Sequence, residues 1–230
     1  MIDAAGFRRI RRRVMKSLAP DFLERKGIYT RKTEYQWHCI QFASGKRGNQ
    51  FCVDIGIHFA RLPGFEAFGC LPNPQHPEPD TCCFKRRWRN ADNEQLFPYG
   101  DSGDDAEQFV STIARDCLAT FEQFNASWAN GDSLLSSLPP ETMRSDAALF
   151  KQLMDSPDLA EKDRLSSKMA IRKMFPGWLP HVSPVCVMLA YFAKETGDFQ
   201  AVSDYISITS APGQGHIMLP KAQPLIDGLR

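Results

Sequence analysis

Residues 49–64 read NQFCVDIGIHFARLPG, and this stretch decides the fold of the chain. The odd positions from 51 to 59 hold Phe, Val, Ile, Ile and Phe, whereas the even positions between them hold Cys, Asp, Gly and His. Such alternation predicts a β-strand with one face in the hydrophobic core. The odd face is therefore expected to be buried, and the even face, with Asp54 and His58, to look away from the interior.

The sequence around this strand predicts helices and further strands. Apolar residues at spacings of three and four predict an N-terminal helix over residues 7–22, bent near Pro20 and stopped at Gly27. Two further strands are predicted at residues 33–42 and 81–89, and a long helix from about Asp104. The remaining periodic segments read as helices, three of them with proline in the first helical position, and the last two should form a hairpin through Gly197 and Asp198. They are residues 140–154, 157–175, 184–195 and 198–209.

The predicted fold class is α+β. A small antiparallel sheet of three to five strands should pack on the first helix and on the helix from about Asp104. The composition shift SWANGDSLLSSLPP, residues 127–140, separates an α+β domain at residues 1–130 from a helical region at residues 131–230. That region is expected to dock on the first domain, whereas the tail, residues 211–230, has no period and reads as an extended or frayed segment.

Composition favours a globular protein of the cytoplasm. Hydrophobic residues make up 43% of the 230 residues and charged residues 24%, which is ordinary globular usage. The apolar run at residues 185–190 is far shorter than a membrane helix, and the N-terminus is expected to hold no apolar signal region. Seven scattered cysteines, an odd number, indicate free thiols in a reducing compartment.

Charge is distributed unevenly. Residues 1–60 hold 12 Lys or Arg against 5 Asp or Glu, a net +7, whereas residues 61–130 hold 6 against 11, a net −5. The two segments can attract each other within the fold, so the basic excess does not require an outside partner.

The order of several motifs resembles a bacterial domain family catalogued only as a domain of unknown function. The elements are the first helix followed by Gly27-Ile28, a strand with Gln41, the run FCVDIGIHF, Cys83 with Arg87, and Phe97-Pro98 before Asp101. The resemblance covers roughly residues 5–128. Ile28 stands where the family tends to have Phe, and Leu96-Phe97 where it tends to have Trp. The resemblance implies the α+β architecture and no established activity; separately, residues 190–206 look like a single tetratricopeptide-type helical hairpin.

The even face of the central strand is the first candidate binding site. Asp54 and His58 lie about 13 Å apart along the strand at roughly 3.3 Å per residue, too far for direct contact. On the neighbouring strands, either Gln36 or Gln41 and either Lys85 or Arg87 can come alongside. Asp54 next to Arg87 would form a cross-strand ion pair, and a histidine beside either residue is expected to titrate near neutrality. The plain alternative is a face covered by helices or water with its charges paired.

No motif requires catalysis, a cofactor or a metal. Cys70, His76, Cys82 and Cys83 lack the spacing of a zinc site, and phosphate loops and hydrolase motifs are absent. Adjacent residues of a strand point to opposite faces, which also excludes His38 with Cys39 as a nucleophile and its base.

Three functions therefore compete. The first is a non-catalytic protein-binding role, of the adaptor or immunity type, with Arg11, Arg12 and Arg13 as the basic surface that meets a charged partner. The second is a ligand-binding or hydrolytic pocket on the even face, and the third is nucleic-acid binding through the basic N-terminal helix. No membrane partner is expected, and the oligomeric state is left open.

Overall fold

A computed structural model of the protein describes residues 2–44, 50–62, 64–66, 69–71, 76–129, 131–176, 178, 182–209 and 228. The strands are β1 (Leu23–Arg25), β2 (Ile28–Lys32), β3 (Gln36–Ser44), β4 (Gln50–Phe59), β5 (Gly64–Glu66), β6 (Gly69–Leu71), β7 (Phe84–Arg87) and β8 (Phe97–Pro98). The helices are α1 (Ala4–Leu18), α2 (Gly103–Trp128), α3 (Asp132–Ser137), α4 (Pro140–Asp155), α5 (Leu159–Lys168), α6 (Ala170–Met174), α7 (Val182–Thr196) and α8 (Phe199–Thr209). The C-terminal tail, residues 211–230, which the sequence predicts as an extended or frayed segment, lies outside the described residues except for residue 228.

The main sheet is antiparallel and confirms the predicted α+β class. Its strands run in the order β1-β2-β3-β4-β7, and β8 pairs with the other end of β4, which gives six strands. β5 and β6 form a separate two-stranded sheet. The prediction of three to five strands was wrong because β1, β2 and β8 were not predicted. β1 and β8 are too short to leave a periodic signal, and β2 does not alternate, since its adjacent residues Tyr29 and Thr30 are both buried.

Helix α1 ends earlier than the sequence predicts. The Asp3 carboxylate caps its N-terminus by accepting a hydrogen bond from the amide of Gly6 at 2.7 Å. The helix stops at Leu18, before Pro20, and Gly27 lies in the turn between β1 and β2. Lys26 and Gly27 both have positive φ, 52° and 84°, as a two-residue hairpin turn requires. Gly27 therefore serves a hairpin and not a helix end.

Strand β4 lies at the centre of the sheet and is buried on both faces. Its odd residues, from Phe51 to Phe59, are at most 2% exposed and belong to the main hydrophobic core. They face α1 and α2; for example, the ring centroids of Phe7 and Phe51 are 4.4 Å apart, and those of Phe59 and Phe124 are 6.4 Å apart. The predicted alternation is therefore confirmed for the core face.

The C-terminal helices extend the same core. The ring of Phe84 in β7 contacts the tilted ring of Phe175 at a centroid distance of 4.4 Å, and Phe59 of β4 meets Phe192 of α7 edge to face at 5.1 Å. The predicted helix over residues 157–175 is two helices, α5 and α6. The buried carboxylate of Asp146 accepts hydrogen bonds from the amides of Ala170 and Ile171, both at 2.8 Å, which caps the new start at α6.

Two of the predicted helix starts also differ from the structure. Pro140 is the first residue of α4, as expected, whereas α5 begins after Pro157, and α7 is already helical at Val182, before Pro184. The α7–α8 hairpin is confirmed: Gly197 has a φ of 79°, and Asp198 accepts a hydrogen bond from the amide of Ala201 at 2.9 Å. None of the described helices is long and apolar enough to cross a membrane.

Candidate functional site

Gln41, Asp54 and Arg87 lie side by side across β3, β4 and β7, as the sequence predicted. Asp54 is opposite Gln41 on one side and opposite Arg87 on the other. The Arg87 guanidinium donates two hydrogen bonds to the Asp54 carboxylate, at 2.9 and 3.0 Å, and this contact raises the pKa of Arg87. Asp54 is only 4% exposed, so the pair neutralises a buried charge within the protein. This geometry favours a structural role for both residues.

The Asp54–Arg87 pair yields a test of that role. Replacing Arg87 by Met leaves the Asp54 carboxylate buried without its cation, and we expect a loss of about 3 kcal/mol in the free energy of unfolding. The double variant Asp54→Asn/Arg87→Met should regain most of the loss in urea denaturation. Lys85→Met is the matched control, because Lys85 of the same strand pairs with the exposed Asp80 and should cost less than about 1 kcal/mol. Equal losses for Arg87→Met and Lys85→Met would contradict the assignment.

His58 lies apart from this pair, and the prediction that it titrates near neutrality was wrong. Its side chain is 0% exposed, and burial lowers the pKa of His58 to about 4. Nε2 is 2.9 Å from the carbonyl oxygen of Leu62, which can only accept, so Nε2 carries the hydrogen. Nδ1 is then the acceptor for the Cys83 thiol, whose sulfur lies at 3.1 Å.

The Cys83–His58 contact has the geometry of a nucleophile beside its base. Cys83 is 6% exposed, however, and the thiolate is the reactive form of a cysteine. Transfer of the thiol proton from Cys83 to His58 would create a thiolate and an imidazolium. Burial disfavours both charged groups, so the resting protein keeps a neutral thiol beside a neutral imidazole. The contact therefore satisfies two buried polar groups and does not by itself indicate catalysis.

A short segment covers the even face of β4. It comprises a 3₁₀ turn, Pro79–Thr81, followed by Cys82, which packs directly over Gly56. A Cβ atom on Gly56 would lie 2.6 Å from the Cys82 sulfur and 2.8 Å from the Pro79 Cα, so only glycine allows this approach. The even face is therefore enclosed here, as the plain alternative supposed, although by a loop segment and not by helices.

The thiols beneath this segment do not form a metal site. The Cys82 sulfur lies 3.7 Å from that of Cys39, and burial is the main cause that raises the pKa of Cys82. In the part of the chain that the structure describes, no group of three His, Cys, Asp or Glu side chains is arranged to hold a metal ion. The side chain of Cys70 lies outside that part. The six cysteines whose side chains the structure describes are buried and form no disulfide with one another.

Sequence reasoning missed a polar network on the core face around His38. Arg31 Nη2 lies 3.0 Å from His38 Nδ1, and His38 Nε2 lies 3.2 Å from the side-chain oxygen of Gln36. The Gln36 amide donates to the carbonyls of Trp128 and Ala129, at 2.7 and 2.9 Å, and so ties β3 to the end of α2. Burial and, secondarily, the charge of Arg31 lower the pKa of His38 to about 4. Since β-strand alternation places His38 on the core side, its burial could have been inferred from the position of Ile40.

The basic surface of α1 differs from the one predicted. Arg12 and Arg13 are exposed, but Arg11 is only 5% exposed and is not a surface residue. Arg12 donates to the Glu24 carboxylate at 2.8 and 3.2 Å, and Arg13 pairs with Glu107 of α2. The last contact joins the basic N-terminal segment to the acidic one by a single exposed ion pair. The exposed cations of α1 are Arg8, Arg9, Arg12, Arg13 and Lys16.

Comparisons with models of protein families, with curated proteins and with solved structures gave no match. The resemblance to a domain family of unknown function and the tetratricopeptide likeness of the α7–α8 hairpin therefore stay predictions. The candidate sites rest on geometry alone.

Proposed function

We propose that this protein is a non-catalytic protein of the bacterial cytoplasm, of the adaptor or immunity type, that binds an acidic surface of another protein through α1. The observation that carries the proposal is the concentration of exposed cations on one helix. α1 contains five exposed Lys or Arg side chains and no Asp or Glu within its bounds. Such a surface attracts a partner of opposite charge and orients its approach.

The even face of β4 gives little support to a ligand-binding or hydrolytic function. Asp54 and Arg87 are paired with each other, and His58 is enclosed and neutral at physiological pH. A general base needs access to its substrate and a pKa near the working pH. His58 is enclosed and its pKa is about 4, and Asp54 is buried in its pair with Arg87, so neither side chain is placed to act as a general base. The six cysteines with described side chains form no disulfide with one another, which fits a reducing compartment and supports the proposed location.

The proposal is tested by charge reversal at two cations that are not engaged in ion pairs with other described residues. The variant Arg9→Glu/Lys16→Glu should bind a partner captured from the native host at least tenfold more weakly than the unaltered protein. Lys151→Glu/Lys168→Glu is the matched control, since it makes the same charge change at two exposed lysines of the helical region. Affinity is measured by titration with the purified partner at low and at moderate salt. An equal loss in both variants, or none in either, would argue against α1 as the binding surface.

Nucleic-acid binding remains the second candidate because the same exposed cations would meet phosphates. Two of them, Arg12 and Arg13, already have carboxylate partners, which lowers the net charge offered to a polyanion. A mobility-shift assay with single- and double-stranded DNA and RNA at low salt separates the candidates. A salt-sensitive complex that Arg9→Glu/Lys16→Glu abolishes would favour this alternative over a protein partner.

A further inference from the structure

A cleft of about 330 Å³ lies beside α1, on the side that faces the β1–β2 turn and the neighbouring ends of β3 and β4. Its lining includes four cations, Arg8, Arg11, Arg12 and Lys26, and one carboxylate, Glu24. Aromatic side chains, Phe7 and Phe42 among them, form the apolar part of the wall. The volume is at the lower end of the range for small-molecule pockets. The described lining thus combines a net positive charge with an apolar surface.

Arg11 is the buried member of this set. Its Nε donates to the hydroxyl of Tyr29 at 3.1 Å, and its guanidinium carbon lies 5.6 Å from the ring centroids of Tyr29 and Phe42. These contacts fix the guanidinium in place without neutralising it. Burial is the main cause that raises the pKa of Tyr29, so the phenol stays protonated and supplies no negative charge.

The charge of Arg11 has only a shared counterion. Within the described residues, the one carboxylate within 4.0 Å of Arg11 is that of Glu24, at 3.6 Å. The same carboxylate receives two shorter hydrogen bonds from Arg12. One negative charge therefore serves two guanidiniums, and Arg8 and Lys26 add two more cations on the rim. A buried cation is costly unless it is paired, so a further anion in the cleft would stabilise this arrangement.

The turn that carries Lys26 joins β1 to β2. Lys26 and Gly27 hold the positive φ angles of a two-residue hairpin turn, and a Cβ atom on Gly27 would lie 3.5 Å from both terminal nitrogens of Arg11. The Gly27 backbone thus lies beside the Arg11 guanidinium, and the positive φ, rather than a lack of space, is what favours glycine here. The hairpin therefore places the Lys26 backbone at the rim of the cleft, with its side chain exposed to solvent.

We propose that this cleft binds a small ligand through a phosphate or carboxylate group, with Arg11 at its base, Arg8 and Lys26 at its rim, and the apolar wall beside the rest of the ligand. Guanidinium groups recognise both oxyanions in the same bidentate way, so the shared chemistry is that of an oxyanion. The site goes beyond the proposed partner surface, because Arg9 and Lys16 do not line the cleft and a free small molecule is the ligand.

Isothermal titration calorimetry at constant ionic strength tests the site with three probes: inorganic phosphate, pyrophosphate and succinate. We expect saturable binding of at least one probe with one-to-one stoichiometry. The variant Arg8→Gln/Lys26→Asn should weaken it at least tenfold; asparagine is chosen because it tolerates the positive φ of position 26. Lys151→Gln/Lys168→Gln removes the same charge elsewhere and should leave the affinity unchanged.

The outcomes separate the ligand classes and the two proposals. Binding of the phosphates without succinate assigns a phosphate ligand, and the reverse assigns a carboxylate ligand. No saturable binding of any probe, or equal affinity in Arg8→Gln/Lys26→Asn, would overturn the site. Arg9→Glu/Lys16→Glu should retain oxyanion binding, so a failure of the partner surface leaves this result standing. Arg11 itself is left unaltered because its loss would affect folding.

Discussion

Lowering the pH from 7 to 4.5 is expected to cost this protein about 5 kcal/mol of its free energy of unfolding, because two buried histidines must remain neutral in the folded state. The pKa of His38 and that of His58 are each lowered from 6.5 to about 4, with burial as the largest cause. A pKa that folding depresses contributes stability that is complete above the unfolded value. That stability is lost as the pH falls from about 6.5 towards about 4. Since small domains are stable by about 5–15 kcal/mol, the loss approaches global unfolding.

Urea denaturation at several pH values between 7 and 5 measures the effect as a slope. Each histidine should contribute about 1 kcal/mol per pH unit between pH 6 and pH 5. His38→Gln and His58→Gln should each remove about half of the slope, whatever they do to the absolute stability. His76→Gln is the control, because the side chain of His76 is exposed to solvent in the folded protein. A flat dependence in this range would show that the two imidazoles are not held neutral.

Replacing Ile55 by Asp is expected to abolish folding altogether. Ile55 is 0% exposed and lies in the middle of β4, opposite Ile40 of β3 on one side and Arg86 of β7 on the other. Its side chain points to the core face, among aromatic and aliphatic residues. A carboxylate there must leave water for an apolar interior, and Arg86 on the neighbouring strand can offset only part of that cost. We therefore expect a loss of at least about 5 kcal/mol, which is comparable with the whole stability of a domain.

Circular dichroism and urea titration provide the measurement for Ile55→Asp. The variant should lack near-ultraviolet signal and a cooperative transition. Ile55→Val is the control for size alone, since a lost methyl group costs about 1 kcal/mol and leaves the transition cooperative. A cooperative transition in Ile55→Asp would mean that the odd side chains of β4 do not form the interior.

The fold was predictable for helices and strands that bury one face, because their apolar residues recur at a regular spacing in the sequence. The odd positions of β4, the long helix α2 and the α7–α8 hairpin all follow from periodicity, capping residues and glycine. The strands β1 and β8 were not predicted because they have only three and two residues, too few to show an alternation. The break between α5 and α6 escaped because it depends on Asp146, which is distant in sequence.

The candidate sites were less predictable because they depend on what covers a surface. The Asp54–Arg87 pair follows from alternation and strand order, but the burial of His58 depends on the segment around Pro79. Gly56 could have indicated this covering segment, since a glycine inside an apolar strand often marks a place where another part of the backbone approaches closely. Arg11 also had a sign: it lies four residues after Phe7 and three before Val14, on the buried side of α1.

The enclosure of the six described thiols has a consequence for how the protein meets oxidative stress. Peroxides and electrophiles react with a cysteine at a rate that depends on thiolate character and access, and burial raises the pKa of Cys52, Cys82, Cys117 and Cys186. Oxidation of these thiols therefore requires a local opening of the chain that exposes the sulfur to solvent. The rate at which these thiols are oxidised therefore depends on how often each helix or strand opens locally, as well as on the concentration of oxidant.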